Sequence, residues 1–148
     1  MTTIIRPMRE EDIFDVLVLA REFSKEAPET HKWNKDKTNN FLYTSLKLPN
    51  MEVFVIDSNK EITGAIVGIL TEMFMSDKVV ATELAWFVTK EARGTPSSIK
   101  LVKTFEKWAK QNGANYCVVA DIKGITDLKK LYTRMGYNSS ETSYIKGL

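Results

Sequence analysis

The chain has 148 residues, 43% hydrophobic and 27% charged, which is the size and balance of one globular domain and not of a disordered chain. Its 21 basic and 19 acidic residues leave a net charge of +2, an even balance that argues against nucleic acid as the main partner. The one cysteine excludes an internal disulfide and fits a reducing compartment. No stretch approaches the roughly 20 apolar residues that span a bilayer. The expectation is a soluble cytoplasmic protein, one domain over residues 1–148, with no membrane partner.

Residues 2–7 read as a short strand stopped by Pro7. A helix from about Glu10 carries Glu10, Glu11 and Asp12 in its first turn and buries Ile13, Val16, Leu17, Ala20 and Phe23 at helical spacing. A weaker helix spans 35–48, with Phe41, Leu42, Leu46 and Leu48 apolar, and Pro49 closes it. Val53–Ile56 and Ile62–Leu70 are rich in β-branched residues and joined by Asp57-Ser58-Asn59-Lys60, a hairpin signal; Val79–Thr89 adds a third strand. The clearest helix runs from Pro96 to about Asn112. Ile99, Val102, Phe105 and Ala109 make its buried face, Lys100, Lys103, Lys107 and Lys110 the opposite one, and Gly113 suits a left-handed cap. Tyr116–Ala120 reads as a short strand. Thr126 is placed to cap a last helix with Leu128, Leu131, Tyr132 and Met135, stopped by Gly136; Tyr137 and Tyr144–Ile145 read as terminal strands.

The order β-α-α-β-β-β-α-β-α-β-β predicts an α/β (α+β) fold, a mixed, mostly antiparallel central sheet with helices on both faces. The link from Val88 through the third helix to Tyr116 is a crossover between parallel strands. Where that helix starts, Thr95 and Pro96 suit the N-cap and first helical position. The amides of Ser97 and Ser98 would then make an anion site, with Arg93 adding charge. The bland reading is a capped helix that binds nothing.

Two segments together carry a resemblance. Arg93-Gly94-Thr95-Pro96-Ser97-Ser98 falls on the pattern Arg/Gln-x-x-Gly-x-Gly/Ala. Leu131-Tyr132-Thr133-Arg134-Met135-Gly136-Tyr137 falls on Leu-Tyr-x-x-x-Gly-Phe. In this order and spacing the chain resembles the GCN5-related N-acetyltransferases (GNAT) from end to end. The resemblance implies a GNAT fold and transfer of an acetyl group from acetyl-coenzyme A (acetyl-CoA) to an amine of a small molecule or protein. It implies cofactor contacts at Phe87, Val88, Arg93, Gly94, Thr95, Ser97 and Ser98, with the Phe87 or Val88 amide facing the thioester carbonyl, and Tyr132 as general acid. It also allows a homodimer. Glu83, a carboxylate inside an apolar strand run, is the candidate base; the other reading is an outward-facing residue on a half-exposed strand.

The departures are specific. Pro96 stands in place of a glycine and has no N–H, Ser98 replaces Gly or Ala, and Ile125 stands where asparagine is frequent. They favour the alternative, a catalytically silent GNAT-fold binding or structural protein such as a phage might encode. His31 reads as a surface residue, and one His with one Cys cannot make a zinc site, so no metal is expected. Cys117 reads as a small core residue. Glu26 and Glu29 could draw a cationic amine, or simply be solvated. The lysine row of the third helix reads as a solvated face. An RNA-directed role, either acetylating an aminoacyl-tRNA or binding RNA through that row, is opposed by the near-neutral charge.

Overall fold

The computed structural model describes residues 2–122 and 126–148, and leaves the Glu29 side chain outside the description. Five strands form one sheet in chain order: β1 (Thr3–Pro7), β2 (Met51–Ser58), β3 (Glu61–Glu72), β4 (Val79–Val88) and β5 (Tyr116–Val118). The first four are antiparallel neighbours, and β5 is parallel to β4, as the crossover requires. The helices are α1 (Ile13–Glu26), α2 (Lys35–Ser45), α3 (Pro96–Gln111) and α4 (Lys129–Arg134). This is the mixed, mostly antiparallel sheet expected.

The sheet buries both faces. Val53, Val55, Ala65, Val67 and Phe87 face α1 and α2, where Ile13, Val16, Leu17 and Leu42 meet them. Their neighbours Phe54, Ile56, Ile66 and Ala81 face Leu101, Val102, Phe105 and Ala109 of α3. Alternation therefore sends successive residues of β2 and β3 into two different cores, and the strands read as continuous apolar runs. The β2–β3 turn places Asn59 and Lys60 at φ of 52° and 69°, the two-residue left-handed turn that matches strand twist.

The first acidic turn has a purpose beyond the helix dipole. Residues Glu10–Asp12 form a 3-10 turn. The buried Asp12 carboxylate accepts from both terminal nitrogens of Arg6, at 2.6 and 3.0 Å, and from the Arg9 backbone N–H at 2.7 Å. Arg6 also reaches Asp57 at 3.1 Å, so β1, β2 and the start of α1 meet on one guanidinium.

Three expectations need correction. The second helix ends at Ser45, three residues early. Thr126 does not cap α4: its hydroxyl accepts from the Ile122 N–H and meets the Asp121 carboxylate, and Asp121 in turn accepts from Leu128, the N-cap residue. Among the described residues no strand follows α4; β5 ends at Val118, and Tyr144 and Ile145 are 93% and 80% exposed. The segment after Tyr137 is mostly polar and offers too short an alternation to gain a buried face. Ile125 lies outside the described residues. No described helix is long and apolar enough to cross a membrane.

Candidate active site

β4 and β5 pair over only three positions, Val80 with Tyr116, Ala81 with Cys117 and Thr82 with Val118. β4 then continues to Val88 with no described strand beside it on that edge. At the point where the strands part, the β3–β4 ladder slips: Glu83 lies opposite Gly68 and Ala85 opposite Val67, so Leu84 is an extra residue. This is a β-bulge, which bends and twists the strand that carries it. The result is a cleft with the bare backbone edge of residues 83–88 on one side. The Thr89 N–H donates to the Thr63 C=O of β3, so by alternation the Phe87 N–H also faces β3; of the two expected carbonyl donors only Val88 turns its N–H to the open edge.

The bulge also decides which side chains meet. Glu83 and Trp86 are an odd number of positions apart and would face opposite sides of a regular strand. With Leu84 looped out, both share the face of Ala81, and Ala85 and Phe87 turn to the other core. Gly68 opposite Glu83 carries no side chain; a Cβ there would meet the Phe105 ring at 2.8 Å, so only glycine lets α3 come this close.

Beyond β5, the Ala120 peptide links two functional groups. Its N–H donates to the Glu83 carboxylate at 3.3 Å, and its C=O accepts from the Tyr132 hydroxyl at 3.0 Å. Burial pushes the Glu83 carboxyl up to about 7, against the smaller pull of the Ala120 N–H. Burial also drives the Tyr132 phenol well above its ordinary value, helped by the negative charges of Glu83 and Asp121. At neutral pH the Tyr132 hydroxyl stays protonated, and the Glu83 carboxyl gives up its proton far less readily than an exposed one.

The Leu-Tyr-x-x-x-Gly-Tyr spacing has a physical basis here. Gly136 takes φ of +93°, and the Tyr137 N–H donates to the Tyr132 C=O at 2.9 Å, closing α4 in a Schellman turn. That turn folds Tyr137 back until the two rings lie 5.5 Å apart. On the other side Trp86 lies 6.4 Å from Tyr132. The Trp86 indole N–H is buried with no hydrogen-bond partner among the described residues, and the buried Tyr137 hydroxyl has the Glu106 carboxylate close by. Orphaned buried polar atoms are rare and need a reason; a polar ligand in the cleft would supply one for Trp86. The sequence reading passed over Trp86 because the bulge that turns it toward Tyr132 leaves no mark in the residue pattern.

The loop before α3 departs from expectation in two ways. A 3-10 turn over Lys90–Ala92 leads to Gly94 at φ of +73°, a left-handed position that favours glycine. Thr95 sits at the N-cap, but its hydroxyl donates backwards to the Ala92 C=O at 2.6 Å and caps nothing. The Ser98 N–H is taken by the Thr95 C=O at 3.2 Å, and Ser98 itself is buried, which leaves Ser97 as the first-turn amide without a partner among the described residues. The expected pair of free amides is therefore one. Arg93 is the second departure: it donates to Glu26 at the end of α1 at 2.7 Å, and Lys90 lies 3.7 Å from the same carboxylate. Glu26, held below the usual carboxylate range by Arg93, is paired to the loop before α3.

The remaining candidates are structural. His31 is exposed and bonded to Thr30, with its ring edge-on to Phe23. The Cys117 thiol is pushed up by partial burial and by Glu106, which opposes a nucleophilic role. No group of three or more described His, Cys, Asp or Glu side chains could hold a metal ion.

Solved structures share the fold of this chain over nearly its whole length. A GNAT family acetyltransferase of Staphylococcus aureus superposes with a TM-score of 0.75 at 14% identity, over 100% of both chains. The aminoglycoside acetyltransferase AAC(6')-Iy, solved with a CoA-based bisubstrate analog, gives 0.83 at 13% identity over 100% of this chain and 99% of that one. A Bacillus halodurans transcriptional regulator gives 0.83 at 19% identity, over 99% of this chain and 100% of that one. The chain has the GNAT fold. No family model matches it, and no curated protein does.

Proposed function

We propose that residues 1–148 act as one N-acetyltransferase domain that moves an acetyl group from acetyl-CoA to an amine. The observation that carries this reading is the Ala120 peptide, which holds a carboxyl of pKa about 7 on its N–H and a protonated phenol on its C=O at the mouth of the β4–β5 cleft. Acetyl-CoA supplies the acetyl thioester. The bare edge of β4 supplies amides for its pantetheine arm, with Val88 facing the carbonyl whose oxygen gains charge. Ser97, Gly94 and Arg93 hold the pyrophosphate, and the Thr95 hydroxyl braces their loop.

An amine of pKa about 10 arrives protonated at neutral pH, so attack requires a proton acceptor. Glu83 is that acceptor. Tyr132 gives its proton to the leaving thiolate, its hydroxyl turning from the Ala120 carbonyl to do so. AAC(6')-Iy, with its bisubstrate analog, supports an amine acceptor for this fold. Calorimetric titration tests the reading. Acetyl-CoA is expected to bind in the micromolar range, and Arg93→Glu is expected to weaken it by about tenfold or more through loss of a charge-assisted bond and repulsion.

Glu26 adds a second prediction. The Arg93–Glu26 pair is exposed and worth at most about 1 kcal/mol, so releasing Arg93 with Glu26→Gln should tighten acetyl-CoA binding by about two- to fivefold. Unchanged or weaker binding would place Arg93 outside the phosphate site.

A second reading has its own support. The captured Ser98 amide, the missing Pro96 N–H and the Arg93 ion pair all reduce the phosphate donors. In this reading the chain is a GNAT-fold binding protein without catalysis, and a folded protein that gives no heat with acetyl-CoA would establish it over the enzyme.

A further inference from the structure

We infer that the flank of α3 turned toward β1 is a second anion site, which shares only Ser97 with the cofactor site proposed above and takes a short chain of linked phosphates. Lys100, Lys103 and Lys107 line one recess of about 260 Å³ with Thr3 of β1 and with Ser97 and Thr104 of α3. The three ammonium groups are spread over about 10 Å of helix, one continuous row and not a single point. Of the hydroxyls, Thr3 is shared with Ser58 and Thr104 donates to the Lys100 C=O. The Ser97 hydroxyl has no partner among the described residues, so it can donate at the helix end where the dipole also favours an anion.

What marks this row is that three lysines share one recess with no carboxylate to offset them. Lys100, Lys103 and Lys107 face none within ion-pair distance among the described residues, and no carboxylate lines the recess. The acid within α3, Glu106, lies one turn from Lys103 and reaches toward Cys117 and Tyr137, whose ionisation it opposes. The row lies in a chain whose overall charge is only +2. Unpaired lysines with an added hydroxyl donor are the groups that hold phosphate oxygens. No aromatic side chain lines the recess to stack a base, so a free phosphate chain fits it better than a nucleic-acid strand.

The test is titration calorimetry of the full chain with sodium tripolyphosphate at low salt, with circular dichroism confirming that each variant folds. Tripolyphosphate is expected to bind at least about tenfold more tightly than inorganic phosphate, and to weaken as salt screens the row. Lys103→Glu is expected to weaken it about tenfold or more, Lys103→Arg to preserve it, and Arg93→Glu to change it by less than about threefold, since that charge belongs to the cleft. Absence of binding overturns the proposal. So does binding that Arg93→Glu abolishes and Lys103→Glu leaves intact, which would put the phosphates at the cleft loop. A mixed-sequence single-stranded oligonucleotide that binds more tightly than tripolyphosphate at equal phosphate concentration would overturn the free chain in favour of a nucleic-acid backbone.

Discussion

With a protonated amine as acceptor, kcat/KM is expected to fall about tenfold per pH unit below about pH 7, and this limb should be absent from Glu83→Gln. The sign follows from the direction of the shift. Burial raises the Glu83 carboxyl from 4.5 to about 7, so the proton-accepting form is in the majority only above that pH. Without it, reaction must wait for free amine, and the rise of activity should move toward the acceptor's own pKa, about 10 for a lysine-like amine. At neutral pH the variant should be slower by about a hundredfold or more.

Stability supplies an independent readout. An acid with a raised folded pKa is disfavoured as the charged form, so its contribution is neutral below about 4.5 and becomes a cost as pH rises through about 7. At 1.36 kcal/mol per unit the full cost is about 3 kcal/mol at most. Glu83→Gln keeps an acceptor for the Ala120 N–H and removes the charge. Urea melts should therefore show the variant gaining on the wild type at pH 8 and matching it near pH 4. Equal stability at both values would mean that Glu83 is solvated and unsuited to be the base.

The architecture was legible because its signals were local. The apolar face of α3, the β-branched runs of β2 and β3, and the turn at Asn59-Lys60 each follow from a few neighbouring residues, and the structure has them within a residue or two. The candidate site was legible in its residues and not in its geometry. Glu83 stood out as a carboxylate in an apolar run, but its partner is the peptide of Ala120, which no side-chain pattern announces. The Leu84 bulge depends on register against β3 and on Gly68 admitting the Phe105 ring, so the approach of Trp86 to Tyr132 was not readable. At the α3 loop, motif reasoning placed the residues but not their bonds: Thr95 turns backwards, Ser98 gives its amide to Thr95, and Arg93 crosses to a helix 67 residues away in sequence. The terminal strands failed for the opposite reason. Two adjacent apolar residues, Tyr144 and Ile145, suggested a pattern that the polar residues before them do not sustain.

Tyr132→Phe is expected to lower kcat by about a hundredfold or more with little change in the KM for acetyl-CoA. The ring stays, so packing against Trp86 and Tyr137 is retained, and only the bond to the Ala120 carbonyl is lost. That loss should cost about 1 kcal/mol in a urea melt. Such a cost is too small to unfold a domain of ordinary stability, so lost activity could not be assigned to lost fold. A proton donor and a mere brace for Ala120 differ in how they respond to the leaving group. Replacing acetyl-CoA by the acetyl ester of a low-pKa thiol makes protonation of the departing sulfur unnecessary. If Tyr132 is the acid, the deficit of Tyr132→Phe should shrink by an order of magnitude or so with that ester. If it only positions Ala120, and through it Glu83, the deficit should persist with either thioester, and the pH limb assigned to Glu83 should shift in the same variant.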